Sequence, residues 1–446
     1  MKAVAGLSGR PESMTAQSFA GPWVTRVACG CFLVACLAVY GIGSTVPTRT
    51  GTAYIVVHAA LTVAMLAAWA GGGAAQARLI AISGIAARLI LIAAPMLSSN
   101  DAERYLWDGA VALAGFDPYS VPPADPMVAD LRAIWATPPE HAAYPTLYPP
   151  VALAAFAGSA LAGPVWGVWA WKLLASIAGI ATVPLAHRLL RRHGLERHLA
   201  LVALSPLLVL ETGVGAHVDS LIALVIVAAL LAFDARRPGL VGALLGFGAC
   251  IKLLPAAALI GLGLAMGWRA ALRMGAAAIG MVAAIYGAAL AIGWHPIGSL
   301  PVFFEKWRNG SPLFTLLEAK LSPPGLITAL AILAIVLLGI ALLLARTRPL
   351  LATQVAMATP LLLSPVAFPW YLMALVPLAA LRPSVALIGW LTLSPLVYEV
   401  RDRFVSDGVW MPAIWPLMLI GAGWIAGLAI DAARARLQPS APDREA

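Results

Sequence analysis

Apolar runs of roughly 20 residues recur along this chain from Val24 to Ile430. No other feature constrains the fold as much. Open backbone N–H and C=O groups are not tolerated in hydrocarbon, so a chain made of such runs must cross the bilayer as helices or as a closed barrel. Runs of this length, without apolar–polar alternation, are helical. Only 11% of the 446 residues are charged and 61% are hydrophobic, where soluble domains carry about 25% charged residues. The expected fold class is therefore all-α, a polytopic transmembrane helical bundle with interfacial helices on its outer face.

The apolar runs lie at 23–43, 53–71, 78–97, 165–187, 198–211, 217–233, 238–254, 255–267, 272–292, 323–345, 349–366, 368–381, 384–399 and 410–430. Several are too short to cross alone, notably 198–211, 255–267 and 368–381. Each is bounded by Pro, Gly or an ionisable residue, which predicts broken helices around an internal polar cavity. The first run is long and lacks a clear cleavage site, so it reads as a span rather than a signal peptide. The organisation expected is a cytoplasmic disordered segment 1–22, one transmembrane domain over 23–430, and a disordered cytoplasmic tail 431–446.

The formal net charge is +9. In this composition it reports topology rather than nucleic-acid binding. Arg188, Arg191, Arg192 and Arg197, then Arg236 and Arg237, then Arg346 and Arg348, fall into segments that share one side if both termini are cytoplasmic. That arrangement makes the chain a multi-pass protein of the inner (plasma) membrane. It puts 98–164 and 293–322 in two outer loops. Residues 149–163 are apolar but must not cross, or the Arg188 cluster would change sides. They are expected along the outer leaflet. Asp125-Pro126 reads as an N-cap followed by proline at the first helical position, with Val128, Leu131 and Trp135 on one face of a short helix on the membrane surface. Lys172, within a span, is expected to snorkel. Cys29, Cys31, Cys36 and Cys250 lie in apolar runs and lack the spacing and partners of a zinc site.

Polar chemistry gathers at few places. Asn100–Gly109 carries Asp101, Glu103, Arg104, Tyr105, Trp107 and Asp108 where an apolar run stops. Asp101 and Asp108 are two helical turns apart and share a face. Either carboxylate can act as a general base if it meets an acceptor hydroxyl. Glu211-Thr-Gly-Val-Gly-Ala-His-Val-Asp219 places Glu211, His217 and Asp219 between two short apolar runs. Ionisable groups at membrane depth face a cavity or a partner. His217-x-Asp219 lacks a third metal ligand nearby, and no metal or other cofactor is expected. Lys252 is near the outer end of its run, where a lipid phosphate is the natural anion. Lys306 and Arg308 sit in the second outer loop among Phe303, Phe304 and Trp307.

Taken in order, Asp101–Gly109 with Asp117-Pro-Tyr119, Thr146-Leu-Tyr-Pro-Pro150, His217-Val-Asp219, Lys252-Leu-Leu-Pro255 and Pro369-Trp-Tyr371 resemble bacterial integral-membrane glycosyltransferases of the GT-C superfamily. The resemblance is to the mannosyltransferase-like members that use polyprenyl-phosphate sugars, and it covers roughly residues 78–400. It implies a bundle of about 11–14 spans with its active site at the outer face. The acidic residue after an early span would be the catalytic base, a position held by Asp101. The lysine before Leu-Leu-Pro, Lys252, would lie at the carrier phosphate. This chain has its first outer loop after the third span, as though two spans were added in front, which leaves Asp108 as a competitor of Asp101.

The activity expected is hexose transfer, with mannose from the subfamily resemblance, from a polyprenyl-phosphate donor to a lipid or glycan hydroxyl. It would proceed with inversion through an oxocarbenium-like transition state. Lys252, Lys306 and Arg308 would hold the donor phosphate, and Arg104, Trp107, His217, Asp219 and Glu211 would bind sugar. The expected partners are the donor, the acceptor and membrane lipids, with no nucleic acid. The alternative is a transporter or flippase of a lipid-linked glycan. That activity predicts repeat symmetry, and none is visible in the sequence.

Overall fold

The computed structural model describes residues 21–42 and 49–437. The segments 1–20 and 438–446, expected to be disordered, lie outside the described residues. Among those described, seven helices are long and apolar enough to cross a membrane. They are α1 (Pro22–Ile42), α2 (Thr50–Gly71), α3 (Ala77–Leu91, entered through a 3-10 turn), a 30-residue helix Gly163–Arg192, and helices Trp268–Ala291, Pro323–Leu344 and Ile414–Leu437. The protein is thus an all-helical polytopic membrane bundle. The last helix continues to Leu437 and converts the start of the expected tail, 431–437, into ordered helix.

Between α3 and the 30-residue helix lie α4 (Asp101–Leu113) and α5 (Pro150–Ala160); the long helix is α6. At 11 residues α5 is too short to span, and it packs across α4 and α6 as the charge pattern required. The short helix after Asp125 forms as a 3-10 turn followed by one α-turn, with the Asp125 carboxylate accepting from Met127 N at 2.8 Å. Its apolar face was expected on lipid and lies instead on protein. Val128, Leu131 and Trp135 close over Trp107 and Val111 of α4.

Interrupted helices make up the centre: α7 (Pro206–Gly213), α8 (Asp219–Asp234), α9 (Pro238–Ala249) and α10 (Ala258–Gly263). Many of these segments start on proline, which lacks the N–H that a first helical turn would leave open. The breaks need partners for their freed carbonyls, and buried cations supply them. Arg88 of α3, fully buried, donates to Gly84 O at 2.8 Å, to Ala203 O at 2.7 Å and to Val202 O at 3.3 Å. Lys172 does not snorkel. It is buried and donates to the carbonyl of Ala94, beyond the end of α3.

Helix α11 (Trp268–Ala291) packs along α9 through Gly242 and Gly246, a small-xxx-small pair that lets two backbones approach. Helix α12 (Pro323–Leu344) is apolar on every side, yet only Ala341 is fully buried against protein, so much of its surface is suited to lipid. Then come α13 (Pro349–Leu363), a broken segment over 369–381, α14 (Glu399–Asp407) and α15 (Ile414–Leu437).

The two loops expected on one face do meet. Ser299 N donates to Thr146 O at 3.2 Å and Ser299 Oγ to Pro145 O at 2.7 Å. Gly298, at φ 53°, allows this approach, since a Cβ there would overlap Thr146 O. Asn309 pairs with the break at 365–367 by backbone bonds of 3.1 and 2.8 Å. At the other end of α6, Arg192 pairs with Asp234 at 2.7 Å, so the basic cluster and the loops occupy opposite ends of the same long helix.

A Cβ added at Gly242 would overlap the carbonyl oxygen of Met274. Gly242→Val is expected to cost about 1–3 kcal/mol through forced separation of α9 and α11. This is measurable as a lower unfolding temperature in detergent, and an unchanged value would contradict the packing described.

Candidate active site

A cavity of about 1360 Å³ opens between the first loop, the second loop and helices α10, α12, α13 and α14. Its wall carries charged side chains, among them Asp101, Glu103, Arg104, Lys252, Lys306 and Arg308. It also carries apolar ones, among them Leu330, Ala334 and Leu338 of α12 with Leu361 of α13.

Asp101 opens α4, where the helix N-terminus favours an anion. Its carboxylate is 3.3 Å from His217 Nδ1 and accepts from the Tyr105 hydroxyl, one turn on, at 3.3 Å. The side chain keeps 20% exposure, on the cavity side. Asp108 is on the same face of α4, as the spacing predicted, but only 3% of its side chain is exposed. It pairs with Arg104 Nε at 2.9 Å and does not reach the cavity wall. Arg104 in turn donates to the carbonyls of Tyr144 at 2.8 Å and His141 at 3.3 Å, which ties the loop to α4.

These environments separate the two carboxyls. Burial works against charge on Asp101, but His217, His141 and Lys252 outweigh it and hold the carboxyl below its ordinary value. Burial dominates at Asp108 and holds it above the ordinary value, despite Arg104 and Thr146. Of the two, Asp101 is the one held below its ordinary value and open to the cavity.

His217 is delivered by a strained turn. Ala216 has φ 51°, a left-handed conformation that costs a non-glycine residue about 1–2 kcal/mol. Trp171 Nε1 donates to Ala216 O at 2.6 Å and helps to hold it. The imidazole stacks on Trp370 with centroids 3.9 Å apart and planes at 9°. Its Nε2 is 3.3 Å from Glu211 Oε2, so the ring has a carboxylate at each nitrogen. Glu211 is fully buried and also receives Tyr398 OH at 2.6 Å and Tyr54 OH at 3.2 Å, with His58 Nε2 at 3.3 Å. Tyr54 and His58 come from α2, so one of the apparently added spans reaches the site.

Asp219 opens α8 and takes both contacts of Lys252 Nζ, at 2.8 and 2.9 Å. The ammonium also lies 3.5 Å from the ring centroid of Tyr371, a cation–π contact. Lys306 Nζ donates to Tyr144 OH at 3.3 Å, and Arg308 Nε to Glu318 at 2.9 Å. Among the described residues no three His, Cys, Asp or Glu side chains converge as ligands for a metal ion.

Of the residues singled out in the sequence, Asp101, Arg104, Lys252, Lys306 and Arg308 therefore line the cavity. His217, Glu211 and Asp219 stand behind that wall, fully or almost fully buried; His217 and Asp219 are partners of Asp101 and Lys252, which line it, and Glu211 is a partner of His217. Trp107 is fully buried in the small core under the first loop and is not brought to the cavity. Sequence reasoning missed His141, Tyr54, His58, Tyr398 and Arg401. Isolated His58 and Tyr54 in an apolar helix carry no local signal, and Glu399-Val-Arg-Asp-Arg403 has the pattern of any solvated helix end.

Removing one partner of a buried ion pair leaves the other charge uncompensated. Asp108→Ala is expected to destabilise the protein by about 3–5 kcal/mol, read as a lower unfolding temperature. A wild-type value would contradict a buried structural pair.

Residues 27–270 match the family model MptA_B, described as alpha-(1->6)-mannopyranosyltransferase, N-terminal domain. The match contains Asp101, His217, Asp219 and Lys252 and stops before Lys306, Arg308 and Arg401. No protein of curated description matches the chain. Because the match spans more than half of the 446 residues, the chain belongs to this family of mannopyranosyltransferases and is a membrane glycosyltransferase.

Proposed function

We propose that the protein transfers mannose from a polyprenyl-phosphate donor to a hydroxyl of a lipid or glycan acceptor on the outer face of the plasma membrane, with Asp101 as general base. The observation that carries this proposal is the position of Asp101. It is the carboxylate that both lines the cavity and is held ionised against buried His217.

In the step proposed, the acceptor oxygen attacks the anomeric carbon and its proton passes to Asp101. The bond from that carbon to the carrier-phosphate oxygen breaks, and its electron pair leaves with the phosphate. A single displacement inverts the anomeric centre, so an α-linked product calls for a β-linked donor. Charge develops on the leaving phosphate, and Lys252, Lys306 and Arg308 supply positive charge along the wall. Side chains provide this charge, and no metal is invoked. The apolar side chains in the lining, among them Leu330, Ala334, Leu338 and Leu361, suit a prenyl chain. His217 acts as a positioning residue behind Asp101, and Glu211 in turn holds the imidazole. The excess of arginine in the other connecting segments supports an outer position for the loops that form this cavity, with both termini cytoplasmic.

Asp101→Asn is expected to lower kcat about 10²–10⁴-fold, the usual contribution of a positioned base. It should do so in purified enzyme supplied with polyprenyl-phosphate mannose. Asp108→Asn, compared per folded molecule, should lose far less. Near-wild-type turnover in Asp101→Asn, or a larger loss in Asp108→Asn, would overturn the assignment.

A further inference from the structure

The cations on the cavity wall are not equally available. Arg104 is paired with Asp108, Lys252 with Asp219 and Arg308 with Glu318, at 2.9, 2.8 and 2.9 Å. Lys306 has a hydroxyl partner, Tyr144. Arg401 of α14 also lines the cavity, and among the described residues it makes no hydrogen bond and no ion pair. A half-buried guanidinium on a cavity wall with no protein acceptor keeps its donors open to a ligand.

The local structure explains why it is left free. The neighbouring carboxylate, Asp402, is engaged at the N-terminus of α2, where it accepts from Gly51 N at 2.7 Å, Thr52 N at 2.8 Å and Thr52 Oγ1 at 2.6 Å. Those N–H groups are among the open donors of a helix start, and a carboxylate satisfies them. Successive helical positions diverge by about 100°, so seating Asp402 on α2 turns Arg401 to another side, that of the cavity. One turn earlier, Tyr398 donates to Glu211, which holds His217 and through it Asp101. The guanidinium is thus built onto the same buried framework as the base. Beside it the wall is apolar, with Phe404, Val405, Trp410 and Met411.

We propose that Arg401 is a phosphate-binding residue of this site, set toward the cavity by the Asp402 cap on α2, and that its ligand is an amphiphile with a phosphate head and a hydrocarbon tail. The free guanidinium matches the phosphate, to which arginine offers two parallel donors, and the apolar residues on α14 and beyond match the tail. The assignment rests on the lipid-phosphate donor proposed above and adds a residue outside the matched segment 27–270.

The test is binding to the purified full chain with farnesyl phosphate, farnesol and inorganic phosphate as probes, without turnover. Wild type is expected to prefer farnesyl phosphate over farnesol by about tenfold or more, the scale of a charge-assisted hydrogen bond. Arg401→Gln should lower that preference severalfold, with Lys252, Lys306 and Arg308 keeping the remainder; Arg401→Lys should lower it less, and Asp402→Asn should weaken it by releasing α14. Full preference in a folded Arg401→Gln would overturn the role of Arg401 and leave the donor class standing. No preference in wild type would overturn both. Inorganic phosphate binding as tightly as farnesyl phosphate would overturn the amphiphile.

Discussion

An imidazole buried between two carboxylates inside a membrane bundle is tolerable only because the charges offset one another. His217 lies 3.3 Å from Asp101 and 3.3 Å from Glu211, and much of the architecture serves that arrangement. The left-handed Ala216 delivers the ring, Trp370 stacks on it, and Glu211 is fixed by hydroxyls from α2 and from the turn before α14. Remove the carboxylate pair and these features lose their purpose. Helix α2 is drawn into the site by the same contacts. It bears on Asp101 through Glu211 and His217, and on α14 through the cap at Gly51 and Thr52.

The same logic of compensated charge runs through the breaks in the bundle. Arg88 and Lys172 are buried cations whose partners are carbonyl oxygens near the interruptions, at Ala203 and Ala94. Interrupted helices create the cavity, and buried cations stabilise the interruptions. The result is one chamber lined by both charged and apolar side chains, a composition that suits the amphiphilic donor proposed for it.

Much of this was legible in the residues, and the reasons differ by feature. The seven long apolar helices were legible because hydrocarbon thickness sets their length, whereas the count of about 11–14 spans included runs that form shorter helices. The broken helices were legible because Pro and Gly mark them, and the shared face of the two loops because arginine bias sorts segments by side. The cluster at 101–108 was visible as a density of polar chemistry, although its internal division was not. Asp101 and Asp108 look alike in sequence, and only the partners, His217 for one and Arg104 for the other, tell them apart. Partnerships are long-range facts. Lys252 meets Asp219 across 33 residues, and Glu211 meets Tyr398 across 187. No local pattern encodes such pairs, so residues that looked free to bind sugar turned out to be occupied with each other. Trp107, read as a sugar-stacking aromatic, fills a small core because the loop above it folds back on α4.

The central claim is that His217 keeps Asp101 ionised for catalysis. Asp101 acts as a base only when deprotonated, and its carboxyl is held below the ordinary value. Activity should therefore fall only at pH below the usual carboxylate range. The most direct measurement is the acid limb of the kcat/KM–pH profile in wild type and in His217→Gln. The limb should move to higher pH in the variant, because burial then acts on Asp101 without the neighbouring imidazole to offset it. An acid limb at the same pH in both proteins would contradict the account.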